Sequence, residues 1–388
     1  MRSKVCIPME EYGQRIERAA RLVAEKGYDL MIANSNEADF ANVRYLSGFW
    51  PLFEIAGVAI ASNGKSALMV GPESQEFGSS WSPLENIHRM IEYRESADPE
   101  FPGSSFSKFS DVADSLEIKE PKKIAIAGWL VTSVDLYQSI QKAFPNAEII
   151  KDDDILTQLR QIKSPAEIAC LREAFRISEK AVDAVLEKIK PGMTELQVVG
   201  IAQEALYQNG AEYEAHALYL FCGESTNNAI SRPRYRPIEK GKMIQLNLGG
   251  RVDGYSPSIG IPFTIGKMSA QQRELVEFGL EAHYKTREWI KAGIVAGQIA
   301  TDYEDFFKER GYGDCFMYGP CHGLGLLEVE KPWMESNSTY KLQKNMTYQV
   351  DTFVKGDDFG LRWETGAVVT KDGIDLLSDK IKGVVELD

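Results

Sequence analysis

With 388 residues the chain exceeds what a single hydrophobic core usually serves, so two domains are expected. Hydrophobic residues make up 44% and charged residues 26%, an ordinary globular composition with ample core. The formal net charge of −13 forms a diffuse negative field, which excludes nucleic acid and anionic membrane as the main partner and leaves a small-molecule substrate as the expectation. Five cysteines (Cys6, Cys170, Cys222, Cys315, Cys321) are odd in number and lack CxxC spacing, which fits free thiols in a reducing compartment. The N-terminus has no apolar leader, and no apolar run reaches membrane-spanning length, so a cytoplasmic location is expected.

Tyr12, Ile16, Ala19, Ala20 and Val23 recur at three- and four-residue steps and predict a first helix, ended by Gly27. "YDLMIAN" reads as a buried strand, and "GVAIASNGKSALMVGP" as two strands about an Asn63-Gly64 turn. "KKIAIAG" and "AEIIKDDD" add strands around a helix in "VTSVDLYQSIQKAF". Helices and strands alternating in this way predict an α/β domain over residues 1–153.

From residue 154 the pattern turns helical. Ser164, Pro165 and Glu167 make a helix start as N-cap, first and third positions, and Pro191-Gly192 closes that helix. Thr194 starts another, ended by Gly210. Strand-like segments follow, interrupted by "SAQQRELVEFGLEAHYKTREWIKAG" and by a shorter helix after Thr301. Residues 154–388 therefore form a second domain of mixed α and β structure.

Several stretches of that domain resemble the pita-bread hydrolases, the family of creatinase, prolidase and aminopeptidase P. They are "LRQIKSPAEIACLREA", "KPGMTELQVVGIAQEAL", "IEKGKMIQLNLGGRVDGY", "HGLGLLEVEKP" and "YQVDTFVKGDDFGLRWETGAVVT". The resemblance implies an N-terminal creatinase/prolidase-like α/β domain, a C-terminal pita-bread domain and a homodimer. Metallopeptidases of this fold hold two divalent metals with two aspartates, a histidine and two acidic residues. Matched one by one, those positions are Asn247, Ser258, His322, Asp351 and Glu364. Two anionic ligands have become neutral, a departure shared with creatinase. The resemblance therefore implies a metal-independent, creatinase-like hydrolase without cofactor, cleaving a C–N bond of a small polar nitrogen-containing metabolite.

In that scheme His322 is the general acid/base, Asp351 and Glu364 orient it or bind a cationic head, and Glu330 assists. Asn247, Ser258, Tyr255 and His216 contact substrate. Arg232 in "SRPRYRP" or Glu54 in the N-terminal domain meets its charge. Glycines flanking His322 favour a site, whereas Asp351 paired with Arg362 would be purely structural. Glu328 and Glu330 alternate about Val329 and are expected on one face of a strand, Glu328 solvated. Ile230 and Val329 stand where relatives carry histidines. Two alternatives stay open. One is a mononuclear-metal Xaa-Pro dipeptidase-like hydrolase or lyase using His322, Asp351 and Glu364. The other is a catalytically inactive ligand-binding protein.

Overall fold

The structure is a computed structural model and describes residues 4–388. The chain divides into two compact units that meet in sequence between Arg160 and Gln161, seven residues beyond the boundary expected from sequence. Both expected domains are present as separate compact units.

The N-terminal unit is built on six strands: β1 (Leu30–Ser35), β2 (Ala56–Ala61), β3 (Ser66–Val70), β4 (Ile87–Arg89), β5 (Lys123–Ala127) and β6 (Glu148–Lys151). They lie in the order β4-β3-β2-β1-β5-β6, and β1 pairs antiparallel with β2 and parallel with β5. Every residue of β1 and β2 is buried, which is why "LMIANS" and "AGVAIA" carry almost no charge. The Asn63-Gly64 turn is present, with Gly64 at φ +92 and Asn63 Oδ1 accepting from Lys65 N at 3.0 Å. The first helix, Met9–Glu25, buries Tyr12, Ile16, Ala19, Ala20 and Val23 as its spacing predicts. His88 sits in β4.

The C-terminal unit opens with the helix Pro165–Lys188. Ser164 Oγ accepts from Glu167 N at 3.2 Å and Glu167 Oε2 accepts from Ser164 N at 2.7 Å, a reciprocal cap that contributes about 1 kcal/mol. A second helix, Glu195–Gln208, starts at Thr194 with the same device. The helix expected after Thr301 begins earlier, at Ala296. Gly297 in its first turn masks the start, because glycine weakens a helix reading. It is needed there: a Cβ at this position would meet Ser338 O at 2.6 Å.

The sheet of this unit uses β7 (Tyr219–Cys222), β8 (Ile244–Leu248), β9 (Ile259–Ile265), β10 (Cys321–Gly323), β11 (Glu330–Met334), β12 (Thr347–Val354) and β13 (Leu361–Val369), ordered β11-β10-β12-β13-β9-β8-β7. Short strands β14 (Ile374–Leu376) and β15 (Val385–Leu387) add to β13 and β9. Among the described residues no helix is long and apolar enough to cross a membrane.

Candidate active site

Strand register assembles the site. Tyr219 pairs with Asn247, Asn247 with Gly260, Gly260 with Glu364, and Glu364 with Asp351, one row across β7, β8, β9, β13 and β12. Partners in a row share a face, and residues two apart on a strand share it too. Ser258, two before Gly260, and Arg362, two before Glu364, therefore face the same way. So does His322, which pairs with Gln349, two before Asp351. Gly260 has to lack a side chain: a Cβ there would meet Asn247 Nδ2 at 2.6 Å and Glu364 Cβ at 2.7 Å.

Above this row lies a cavity of about 330 Å³ whose lining includes His216, Ser258, His322, Glu328, Asp351, Arg362 and Glu364. At its centre His322 Nδ1 lies 3.0 Å from Gly323 O. A carbonyl only accepts, so Nδ1 carries the proton and Nε2 presents a bare lone pair. That lone pair faces Glu328 Oε1 at 3.4 Å and Glu364 Oε1 at 3.9 Å. One ligand atom from each of His322, Glu328 and Glu364 lies within 4.8 Å of the others. Glu328 Oε1 is buried with no hydrogen-bond partner among the described residues. Three acceptors thus converge and repel unless a proton or a cation is supplied. Burial pushes the Glu328 carboxyl up to about 7. Burial, then Glu328 and Asp351, raise Glu364 well above the usual carboxylate range.

Around the cluster, Asn247 Nδ2 and Ser258 Oγ (2.8 Å) both donate to Glu364 Oε2. Asn247 is itself held by Gln245 Nε2 at 2.8 Å. His216 Nδ1 lies 2.8 Å from Ala217 O, and its Nε2 lies 3.1 Å from Ser258 Oγ. Asp351 lines the cavity but pairs with Arg362, whose Nε is 3.1 Å from Oδ1. Burial lowers the Arg362 guanidinium, but Asp351 more than offsets this and its charge is held firmly.

Several expected site residues lie elsewhere. Glu330 does not line the cavity: it is buried 3.6 Å from Lys163 Nζ and accepts from Leu327 N at 3.0 Å. Residues 324–329 are not a strand, so the alternation expected for Glu328 and Glu330 fails, and Glu328, expected in solvent, joins His322 instead. The register shift between His322 and Gly323 is where the ladder breaks. Tyr255 is fully buried and donates to Glu167 Oε1 at 2.7 Å, supporting the capped helix start rather than a substrate. Arg232 is exposed and outside the cavity lining. Glu54 is buried in the N-terminal unit, where it accepts from Glu73 N at 2.9 Å and Ser74 Oγ at 2.5 Å. Glu328 is the cavity residue that sequence reasoning left outside the site. Its signal was the glycine-rich "HGLGLLE" followed by Pro332, which mark a loop rather than a continuous strand.

Residues 169–371 match metallopeptidase family M24, and residues 15–162 match the creatinase/prolidase N-terminal domain. The chain is 26% identical over 362 residues to a Xaa-Pro dipeptidase of Pyrococcus furiosus, covering 93% of this chain and 96% of that one. It is also 26% identical to a Xaa-Pro dipeptidase of Pyrococcus horikoshii, covering 94% and 97%. The fold is shared with the crystal structure of an X-Pro aminopeptidase from Thermotoga maritima, with a TM-score of 0.83 at 24% identity over 96% of this chain and 99% of that one. These matches overturn the expectation of a metal-independent, creatinase-like hydrolase: the similar proteins are named as dipeptidases, and the matching family is one of metallopeptidases. That expectation weighed the lost charge at Asn247 and Ser258 and left out Glu328, whose carboxylate lies beside His322 and Glu364. The chain is a hydrolase and belongs to metallopeptidase family M24, with a creatinase/prolidase N-terminal domain preceding the pita-bread domain.

Proposed function

We propose that this chain is a dipeptidase-like metallopeptidase that cleaves the peptide C–N bond of a short substrate and uses one divalent cation. The observation that carries this reading is the convergence of His322 Nε2 and the Glu328 and Glu364 carboxyls, whose ligand atoms lie within 4.8 Å of one another. One neutral imidazole and two carboxylates suit a single divalent ion. A two-metal set fits poorly, because Asn247 and Ser258 point donors, not anionic acceptors, at Glu364. The names of the full-length relatives support the reaction class.

When bound, a divalent ion at His322, Glu328 and Glu364 would polarise the scissile carbonyl and lower the pKa of attacking water. The chain's own groups do the rest. Gly323 O fixes the His322 tautomer so that Nε2 stays aimed at the cluster. Asn247 and Ser258 hold the Glu364 carboxylate in place. Burial holds the Glu328 carboxyl up to about 7. Arg362, anchored by Asp351 and donating through Nη2 to Ala229 O (2.9 Å) and Tyr318 Oη (2.6 Å), sets a fixed positive charge beside the reacting groups.

The test is elemental mass spectrometry on the purified protein together with hydrolysis of a dipeptide panel that includes Xaa-Pro, before and after chelation. About one equivalent of zinc, manganese, iron or cobalt and chelator-sensitive turnover are expected. The double substitution Asn247→Asp, Ser258→Asp is expected to raise the content towards two. Full dipeptide turnover in the metal-stripped protein would sink the proposal.

A further inference from the structure

A second chemically competent pair, His216 with Ser258, shares this cavity; the mechanism above uses Ser258 only as a donor to Glu364 and does not use His216. Ser258 Oγ lies 3.1 Å from His216 Nε2, and Ala217 O accepts from His216 Nδ1 at 2.8 Å. A carbonyl on Nδ1 leaves Nε2 as the acceptor, so the imidazole can only receive the hydroxyl proton. This is the arrangement of an activated nucleophile: hydroxyl, base and a third group that orients the base. Burial holds His216 down to about 4, so near neutral pH the imidazole is neutral and Nε2 carries a lone pair rather than a proton. The hydroxyl has one proton and two acceptors within reach, His216 and Glu364. Glu364 Oε2 also accepts from Asn247, so it keeps a donor when Ser258 turns to His216.

We propose that Ser258 and His216 form an acyl-transfer pair, with Ser258 Oγ as nucleophile toward small esters carrying an apolar acyl group. The acyl preference follows from the mouth of the cavity. Ile230, Met317 and Val329 are 83%, 54% and 45% exposed there, and Trp333 joins them. Apolar side chains that remain exposed around a cavity mark a surface which an apolar ligand would cover. Arg362, the permanently cationic side chain among those lining the cavity, supplies the positive field for an oxyanion.

The steps balance as follows. Ser258 Oγ bonds to the ester carbonyl carbon as its proton passes to His216 Nε2. Collapse of the oxyanion breaks the carbon–oxygen bond to the alcohol, which takes that proton. Water then attacks the acyl-Ser258 ester, giving its proton to His216, and the acid departs as Ser258 Oγ recovers the proton. The sum is ester plus water to acid plus alcohol.

The experiment treats full-length protein, with chelator present, with a fluorophosphonate bearing a short alkyl chain, followed by intact mass and peptide mapping. One adduct mapping to Ser258 is expected, blocked by a short-chain apolar ester. It should be lost in Ser258→Ala and form about 10²-fold more slowly in His216→Asn, the usual worth of a positioned base. Mapping on the unmodified sequence needs no variant to fold. No adduct, an adduct elsewhere, or unchanged labelling of His216→Asn would overturn the proposal. Because labelling is read without metal and dipeptide turnover with it, failure of one leaves the other standing.

Discussion

Replacing Glu328 by glutamine should stabilise the metal-stripped protein while abolishing its response to metal. Glu328 is buried against His322 and Glu364, and its carboxyl is pushed from 4.5 to about 7. The unfolded chain ionises near 4.5 and the folded chain near 7, so the folded form binds more protons between those values. Stability attributable to this group is full below pH 4.5 and is lost as pH rises through about 7. At about 1.4 kcal/mol per pH unit, the loss above pH 7 is about 3 kcal/mol. A buried glutamine amide without a partner offsets part of the gain, by about 1 kcal/mol. A net rise of about 2 kcal/mol corresponds to roughly 4–8 °C in melting temperature for a domain of this size. Thermal melts in chelator at pH 8 should show that rise, and melts at pH 4.5 should not. Added manganese or zinc at 100 times its Kd should then stabilise the unmodified protein by about 2.7 kcal/mol and leave the variant nearly unmoved. If Glu328→Gln melts below the unmodified protein in chelator at pH 8, surplus negative charge is not what defines this site.

Other perturbations probe the scaffold. His283 is fully buried in the helix Ala270–Trp289 and held down to about 3, chiefly by burial, so it stays neutral in the folded state. Stability should therefore be full above pH 6.5 and fall by about 2–3 kcal/mol between pH 6.5 and 4.5; a denaturation series should find that acid limb shallower in His283→Asn. Gly260→Ala puts a methyl group against Asn247 and Glu364, and should cost about 1–3 kcal/mol in melts and weaken metal uptake in titrations. Lys163→Met removes the cation 3.6 Å from the buried Glu330 carboxylate and should destabilise by about 3–5 kcal/mol. Adding Glu330→Gln should recover much of that loss, and an unchanged melt for the single variant would refute the pairing.

The sequence carried the fold and the row further than it carried the cluster. The resemblance to the pita-bread hydrolases named Asn247, Ser258, His322, Asp351 and Glu364 together, and the strand register sets them on one face because residues two apart on a strand share a side. Ser164 and Thr194 announced their helices for an equally local reason, the satisfaction of the first-turn amide groups. What escaped was set by chain reversal. Glu328 reaches His322 because the ladder breaks after His322 and the chain loops back, which spacing alone does not reveal. Glu54 was misjudged because its partners, Glu73 and Ser74, lie across a hairpin. Asp351 was expected either in the site or paired with Arg362, and it is both.

The row of paired residues also bears on when the enzyme can first act. Tyr219, Asn247 and Gly260 are synthesised well before the strand that carries Arg362 and Glu364, and β13 inserts between β9 and β12. Until β13 arrives, His322 has no Glu364 opposite and Gly260 has no neighbour on that side. A nascent chain therefore emerges from the ribosome as an incomplete hydrolase, and its hydrolytic competence switches on only as the sheet is sealed.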